Sequence, residues 1–205
     1  MLKIVSHTRT GTHYLCMLLF RNLETGAGDY EEMHYSHSRV PEGPYIHLHR
    51  PLFPTLLSIW RVREHAGLHR SVTFSDLVHM PCDVLPKAQS CEAMFNGARL
   101  DKVCPGKGFL PGETFPQRWL RLTDLFESGA YASYSYEEAV TRPLYVIESI
   151  AGRFVLRRRP FTPVLERVGW WAVGMETPEI TERDMRVIEE HQQLWESALK
   201  EISKC

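Results

Sequence analysis

The chain has no run of 18 apolar residues, no Cys-x-x-Cys pair and no surplus of charge of one sign. Each absence excludes a class of protein. A membrane-spanning helix needs about 20 apolar residues, and the apolar stretch at 14–20 is too short. The five cysteines, Cys16, Cys82, Cys91, Cys104 and Cys205, are odd in number and scattered. They read as reduced thiols rather than a disulfide framework or a zinc site. With 24 Lys and Arg against 25 Asp and Glu, the net charge is −1. That balance gives no broad basic surface for nucleic acid or an anionic membrane. The N-terminus lacks the basic and apolar regions of a secretory signal. A cytoplasmic protein with no membrane span and no nucleic-acid partner is the expectation.

At 205 residues and 43% apolar composition, the chain is long enough for one domain with a sizeable core. Strand Leu2–Val5, a loop, and an apolar helix over Thr12–Leu23 form a first βα unit. Glu24–Gly43 is polar and reads as loop. Tyr45–His49 alternates between prolines and reads as a strand. A helix is expected from about Pro54 to Gly67, because Pro suits a first turn and Gly an end. Residues 70–116 are irregular, with short helices at Ser75–Val78 and Pro86–Asn96, and a segment of this kind suits an acceptor loop or lid. Further helices are expected at Pro116–Ser128 and at Arg142–Ala151, the latter ending at Gly152. Tyr131–Tyr136 reads as a strand and 157–171 as loop. A final helix is expected with Thr177 as N-cap and Pro178 in its first turn. Strands separated by helices predict an α/β domain with a mostly parallel sheet.

The most informative stretch is Ser6–Leu15, which carries Thr8-Arg9-Thr10-Gly11-Thr12-His13. Strand, tight loop with one Gly, then helix is the geometry of an anion cradle. Arg9 adds a permanent cation with a planar fork, and Thr10 and Thr12 add hydroxyls. The loop lacks the first Gly and the Lys after the second Gly of a nucleotide P-loop. By itself it is also compatible with a plain strand-to-helix turn. Arg50, at a strand end, and Ser58, eight residues on in a helix, are placed to hold a second phosphate at the carboxyl ends of parallel strands. Alone, they read equally as a surface ion pair and a helix Ser. His65 and His69, and His47 and His49, have spacings that invite a metal, but no zincin Glu accompanies them and Gly67 argues against a helix there.

The ordered set of motifs is similar to that of the sulfotransferases that use 3′-phosphoadenosine 5′-phosphosulfate (PAPS). Thr8–His13 resembles that family's 5′-phosphosulfate loop, and Tyr45–Ser58 its 3′-phosphate segment, with Arg50 and Ser58 at the matching spacing. Tyr134-Ser135-Tyr136-Glu137-Glu138 resembles the segment that puts a Tyr near the adenine, here Tyr136. Val168-Gly169-Trp170-Trp171 and Thr177-Pro178-Glu179 resemble the C-terminal segment. Residues 70–116 match nothing in the family pattern. Thr8 replaces the usual Pro, and Pro51–Pro54 replace the polar residues that usually follow the strand Arg. The family's Arg-Lys-Gly lid has two candidate counterparts, Arg167-Val168-Gly169 and Arg157-Arg158-Arg159.

The resemblance implies a P-loop-like, three-layer α/β fold for 1–205 and sulfuryl transfer from PAPS to a hydroxyl or amine, releasing adenosine 3′,5′-bisphosphate (PAP). Arg9 and the loop N–H groups would offset charge on the leaving 5′-phosphate. Thr10, Gly11, Thr12 and His13 would complete the cradle. Arg50, Ser58, Arg167 and Gly169 would hold the 3′-phosphate side. His37 is the expected base, with His34 second, because the family's catalytic His falls in this interval. No metal is expected, since no carboxylate pair for Mg2+ adjoins the loop. The acceptor, a small molecule or glycan, is not named by the sequence. The chain is short for the family, which implies an acceptor lid that is either reduced or supplied by the second subunit of a homodimer. Two alternatives remain at this level: a P-loop nucleotide kinase-like enzyme, and a non-catalytic domain that binds PAP or another nucleotide.

Overall fold

A computed structural model describes residues 2–7, 9–27, 34–36, 40–64, 68–87, 110–165 and 177–202. The chain divides into two compact units, Met1–Arg50 with Phe126–Trp170, and Pro51–Leu125 with Trp171–Cys205. The expected helices around 86–96 and the loop from 166 to 171 lie largely or wholly outside the described residues.

The first unit holds a parallel α/β sheet. Its strands are β1 (Lys3–Ser6), β2 (His34–Ser36), β3 (Ile46–His49) and β4 (Ala132–Ser135), in the spatial order β2-β1-β3-β4 and all parallel. Helix α1 (Thr12–Asn22) follows β1. After β4 come α5 (Tyr136–Thr141) and α6 (Pro143–Phe154). Alternation puts Ile4, Ile46, Leu48, Ala132 and Tyr134 on one face of the sheet. They pack with Leu15, Leu18 and Leu19 of α1 and with Val146, Ile147 and Ile150 of α6 into one apolar core. β3 lies on the side of β1 opposite β2. The chain therefore changes direction across the sheet between β1 and β3, and the carboxyl ends of these two strands form a topological switch point.

The second unit is helical. Helices α2 (Leu52–Arg61), α3 (Phe74–His79), most of α4 (Phe115–Ser128) and α7 (Glu182–Ile202) lie in it. Leu56, Ile59, Phe74, Leu77, Trp119, Ile188 and Trp195 share its core, where the Trp119 and Trp195 rings meet edge to face at 5.3 Å.

Several boundaries differ from the sequence reading, each for a local reason. β2 falls within the stretch read as loop. The strand is only three residues long and lies at the sheet edge, so it carries little periodicity. α2 starts at Leu52, after Pro51 in the N-cap position, and ends at Arg61. α6 runs through Gly152 and stops at Val155, which takes the left-handed conformation at φ 53°. Gly152 is exposed with nothing within 4 Å of where a Cβ would sit, so it is tolerated mid-helix. The strand read as Tyr131–Tyr136 ends at Ser135, which caps α5. Its hydroxyl accepts from the Glu138 N–H while the Glu138 carboxylate accepts from the Ser135 N–H.

The final helix is capped at Thr181, not Thr177. Thr181 Oγ1 accepts from the Asp184 N–H, and Asp184 Oδ2 accepts from the Thr181 N–H. The same fully buried carboxylate accepts from the Ser75 hydroxyl and from His79 Nε2, both at 2.8 Å. Burial alone would raise its pKa. The hydrogen bonds from Thr181, Ser75 and His79 outweigh that and hold the carboxyl below its ordinary range. A depressed carboxyl stabilises the fold above its unfolded pKa, and this is lost as pH falls through the folded value. Asp184→Ala leaves three donors without their acceptor, and it is expected to cost about 2–4 kcal/mol of unfolding free energy at neutral pH. Urea titration checks this. A loss below about 0.5 kcal/mol, the range of an ordinary surface change, would show that the carboxylate does not tie α3 to α7.

Candidate functional site

β1 delivers Ser6 and His7 to the carboxyl edge of the sheet, and a tight turn then enters α1. Arg9 has φ 70° and Gly11 φ 94°. A turn of this kind, with left-handed residues, is a backbone form in which successive N–H groups converge. Gly11 is the N-cap of α1, and α1 has no side-chain cap and no acidic residue in its first turn. α3 and α5, by contrast, carry complete capping boxes. The N-terminal N–H groups of α1 and its positive dipole end therefore have no side-chain anion of their own.

The threonines make contacts within the loop. Thr10 is buried and its hydroxyl donates to the His7 carbonyl at 2.8 Å. The Ser6 and Thr12 hydroxyls pair with each other at 2.5 Å. Both threonines thus brace the loop from inside. His13 lies half-buried in the first turn of α1.

Three separated motifs meet at the Tyr136 ring. A Cβ built there would lie 2.2 Å from Cδ2 of Tyr136, so only glycine admits that ring. The Arg50 guanidinium lies over the same ring, 4.6 Å from the Tyr136 centroid. Arg50 Nε is 3.6 Å from the Glu137 carboxylate, which is about half exposed. Tyr14 meets Tyr136 edge to face at 5.9 Å, and burial, with Tyr136 nearby, raises the Tyr14 pKa. Sequence reasoning passed over Tyr14. Its place one turn into α1, beside the Gly, was the available signal.

The remaining assigned residues fall elsewhere. Ser58 lies half-buried in α2, in the second unit. His37, Arg167 and Gly169 lie outside the described residues, as do His65, Trp170 and Trp171. His34 is the first residue of β2. The triple arginine has partners near the C-terminal end of α1. Arg157 and Arg158 pair with Glu24 and Glu148, and Arg159 donates to the Phe20 carbonyl. Asn22 binds Thr162 through both its amide atoms. This segment is fastened to the C-terminal end of α1, about 16 Å from the cradle for an 11-residue helix.

The other face of β3 carries a polar cluster that the sequence showed only as alternation. His47 is buried, and its Nδ1 lies 2.6 Å from Glu127 Oε2. Ser133 donates to the same oxygen at 2.6 Å. Burial would raise the Glu127 pKa, but these two hydrogen bonds and the neighbouring imidazoles bring it below its ordinary value. His49 ends the strand, with its ring 5.7 Å from that of His47. Burial, reinforced by His47, lowers the His49 pKa to about 4 against the pull of Glu127 and Glu138. Cys16 and Cys82 are free thiols. Burial pushes Cys16 up to about 12 and Cys82 up as well, so neither is a nucleophile at neutral pH. Among the described residues no group of three or more His, Cys, Asp or Glu is disposed to hold a metal, and no helix is long and apolar enough to cross a membrane. No protein-family model matches the chain, and no curated protein matches it.

Two outcomes test this geometry. Gly11→Ala is expected to cost about 2 kcal/mol or more, from a left-handed non-glycine residue and an overpacked ring. Tyr136→Ala removes the steric part only, so the double variant should lose less than the sum of the singles in urea titrations. Between pH 4 and 6.5 the unfolded state binds a proton at His49 that the folded state does not, so folding stability must rise with pH there. The thermal midpoint of the wild type should fall on acidification across this window, and that of His49→Gln should fall less.

Proposed function

We propose that this chain is a sulfotransferase that moves a sulfuryl group from PAPS to a hydroxyl or amine and releases PAP, on a P-loop-like α/β fold. The observation that carries the reading is the stack Gly11–Tyr136–Arg50. The loop, the strand-end arginine and the Tyr-Glu segment are far apart in sequence. In the family they resemble, all three serve one nucleotide. Here they meet at the switch point of a parallel sheet, where such folds bind ligands.

The residues fit the donor's charges. The uncapped N-terminus of α1 and the turn at Arg9–Gly11 suit a phosphosulfate. Arg50, held over the Tyr136 ring, has a planar fork suited to a phosphate. The exposed parts of Tyr14 and Tyr136 offer aromatic surface for a purine.

In the reaction the acceptor oxygen or nitrogen forms a bond to sulfur as the bond from sulfur to the 5′-phosphate oxygen breaks. Negative charge then gathers on the leaving phosphate. Arg9 and the loop N–H groups act there, since stabilisation counts where charge develops. The acceptor's proton passes to a base, assigned to His37 by the resemblance. The rest is positioning, as in phosphoryl transfer.

Calorimetric titration of PAP, ADP and ATP, each with and without Mg2+, tests the reading. PAP is expected to bind without metal and more tightly than ADP, and Arg50→Ala is expected to weaken PAP about 10- to 100-fold. Transfer of labelled sulfate from PAPS, lost in His37→Ala with PAP binding kept, would establish turnover. ATP binding that requires Mg2+, with PAP no tighter than ADP, would sink the proposal in favour of a kinase-like enzyme. Tight PAP binding without transfer to any acceptor class would favour a non-catalytic binding domain.

A further inference from the structure

We propose that the edge of the sheet opposite the candidate site is a docking surface for an anionic lipid bilayer, which it binds reversibly through arginines and the exposed side chain of Val155. The inference is independent of the donor-site reading. A protein that lies on a bilayer needs no helix that spans it.

The first observation is place. The candidate site is at the carboxyl ends of the strands, and the amino ends gather the far ends of two helices. Arg153 of α6 donates to the carbonyl of Tyr131, which directly precedes β4. The Tyr131 N–H donates to the carbonyl of Tyr45, which directly precedes β3. The C-terminal end of α6 therefore sits at the amino ends of these strands. The chain after it is tied to the last turn of α1. Leu23 bridges to Arg158, the Glu24 N–H donates to the Arg157 carbonyl, and Asn22 binds Thr162. Both helix ends and residues 153–162 thus share one end of the first unit.

The second observation is charge. Arg157, Arg158 and Arg159 join Arg21 and Arg153 at this end, and Glu24 and Glu148 are the carboxylates that pair with them among the described residues. Arg157 meets Glu24 only at 3.9 Å, with its side chain 81% exposed, so water and salt screen the pair. Arg158 and Glu148 are 2.9 Å apart but about half exposed. Arg153 and Arg159 are exposed, and each donates to a carbonyl, which cancels no charge. Lys3 and Glu42, which meet at the same edge, cancel each other. A chain whose net charge is −1 thus holds a local excess of positive charge. Net charge is a sum over the whole chain and does not report how folding segregates it.

The third observation is an apolar side chain where the fold has no use for one. Val155 ends α6 in the left-handed conformation, at φ 53° and ψ 47°. Glycine is the usual residue there, and a β-branched residue is an outlier. Its side chain is 90% exposed. The free protein gains nothing from the strain or from the exposure, and such strain points to function. Tyr131, half exposed, packs edge to face on Phe154 beside it, and Phe161 is exposed in the segment tied to α1. The basic and apolar groups together select the partner. A nucleic acid or an anionic glycan would use the arginines but offers no apolar phase for Val155. A bilayer offers anionic headgroups and an acyl boundary just below them, and arginine stems bridge the two levels.

The test is co-sedimentation of the full chain with vesicles of phosphatidylcholine, alone or with about one third phosphatidylserine, at low and high salt. Wild type is expected to bind the anionic vesicles at low salt, to lose most of that binding at high salt, and to ignore phosphatidylcholine alone. Arg157→Gln and Arg158→Gln are each expected to weaken binding about 5-fold. Val155→Gly separates a bilayer from a plain polyanion. It relieves the left-handed strain, so the thermal midpoint should hold or rise while vesicle affinity falls about 3- to 10-fold. A loss of binding in a variant at least as stable as wild type is not misfolding. The proposal is overturned by no binding to anionic vesicles, by equal binding to phosphatidylcholine alone, or by binding that the arginine changes leave intact. It is also overturned if Val155→Gly binds anionic vesicles as wild type does, and binding of duplex DNA by both proteins would then assign the arginines to a polyanion. PAP titrations of the same variants are expected to match wild type, so neither outcome bears on the donor site.

Discussion

The approach of the Tyr136 ring to the backbone of Gly11 is the constraint on which the candidate site depends. No other residue fits, since a Cβ would sit 2.2 Å from the ring. The contact fixes the start of α1 against the start of α5, two elements 125 positions apart. It also sets a platform for the Arg50 guanidinium. Glycine serves two purposes here. It supplies the left-handed conformation at the N-cap, and it leaves the helix end without a side-chain cap. Local stability of α1 is thereby given up, and it is regained by burying Leu15, Leu18 and Leu19 against the sheet.

The two faces of the sheet divide the labour. One face is apolar and holds the helices in place. The other carries His47, His49, Ser133 and Ser135 at successive paired positions. A partly buried Glu127 there would be unfavourable without partners, and it has two, His47 and Ser133, on one oxygen. Such a cluster contributes less to stability than an equally large apolar patch would. Its effect is on geometry, because it fixes the orientation of the His47 ring beside the last residue of the strand.

How much of this was legible in the sequence depended on the distance over which each cause acts. The β1–loop–α1 unit was readable, because one Gly, an apolar strand and a helical stripe are local signals. α3 and α4 were readable for the same reason. β2 was not, since three polar-flanked residues at a sheet edge carry no period. The start of α7 offered two cap signals, Thr177-Pro178 and Thr181-x-x-Asp184. The second prevails because Asp184 also receives Ser75 and His79 from more than 100 residues earlier, which no local pattern reveals. The triple arginine was legible only as a basic run; the fastening of its segment to the end of α1 by Asn22, 140 positions from Thr162, was not. At the site, Arg9, Gly11, Arg50 and Tyr136 were legible as separate motifs. The partnership of His47 with Glu127, 80 positions apart, was not, and alternation alone made the two histidines of β3 look like a weak metal pattern.

The charges around Arg50 give a last step of argument. Its ion pair with Glu137 is long, at 3.6 Å, and the carboxylate is about half exposed, so water screens much of it. The contact with Tyr136 lies 4.6 Å from the ring centroid and needs no countercharge. An arginine held by a ring rather than by a carboxylate keeps its orientation while its hydrogen-bonding edge can be exchanged. On the proposed function, a phosphate would displace a weak partner and find the guanidinium already ordered, so little side-chain entropy is lost on binding. A close, buried Arg–Glu pair at this position would have stabilised the free protein and opposed the ligand. The looseness of the Glu137 contact is therefore consistent with a site built for an anion that comes and goes.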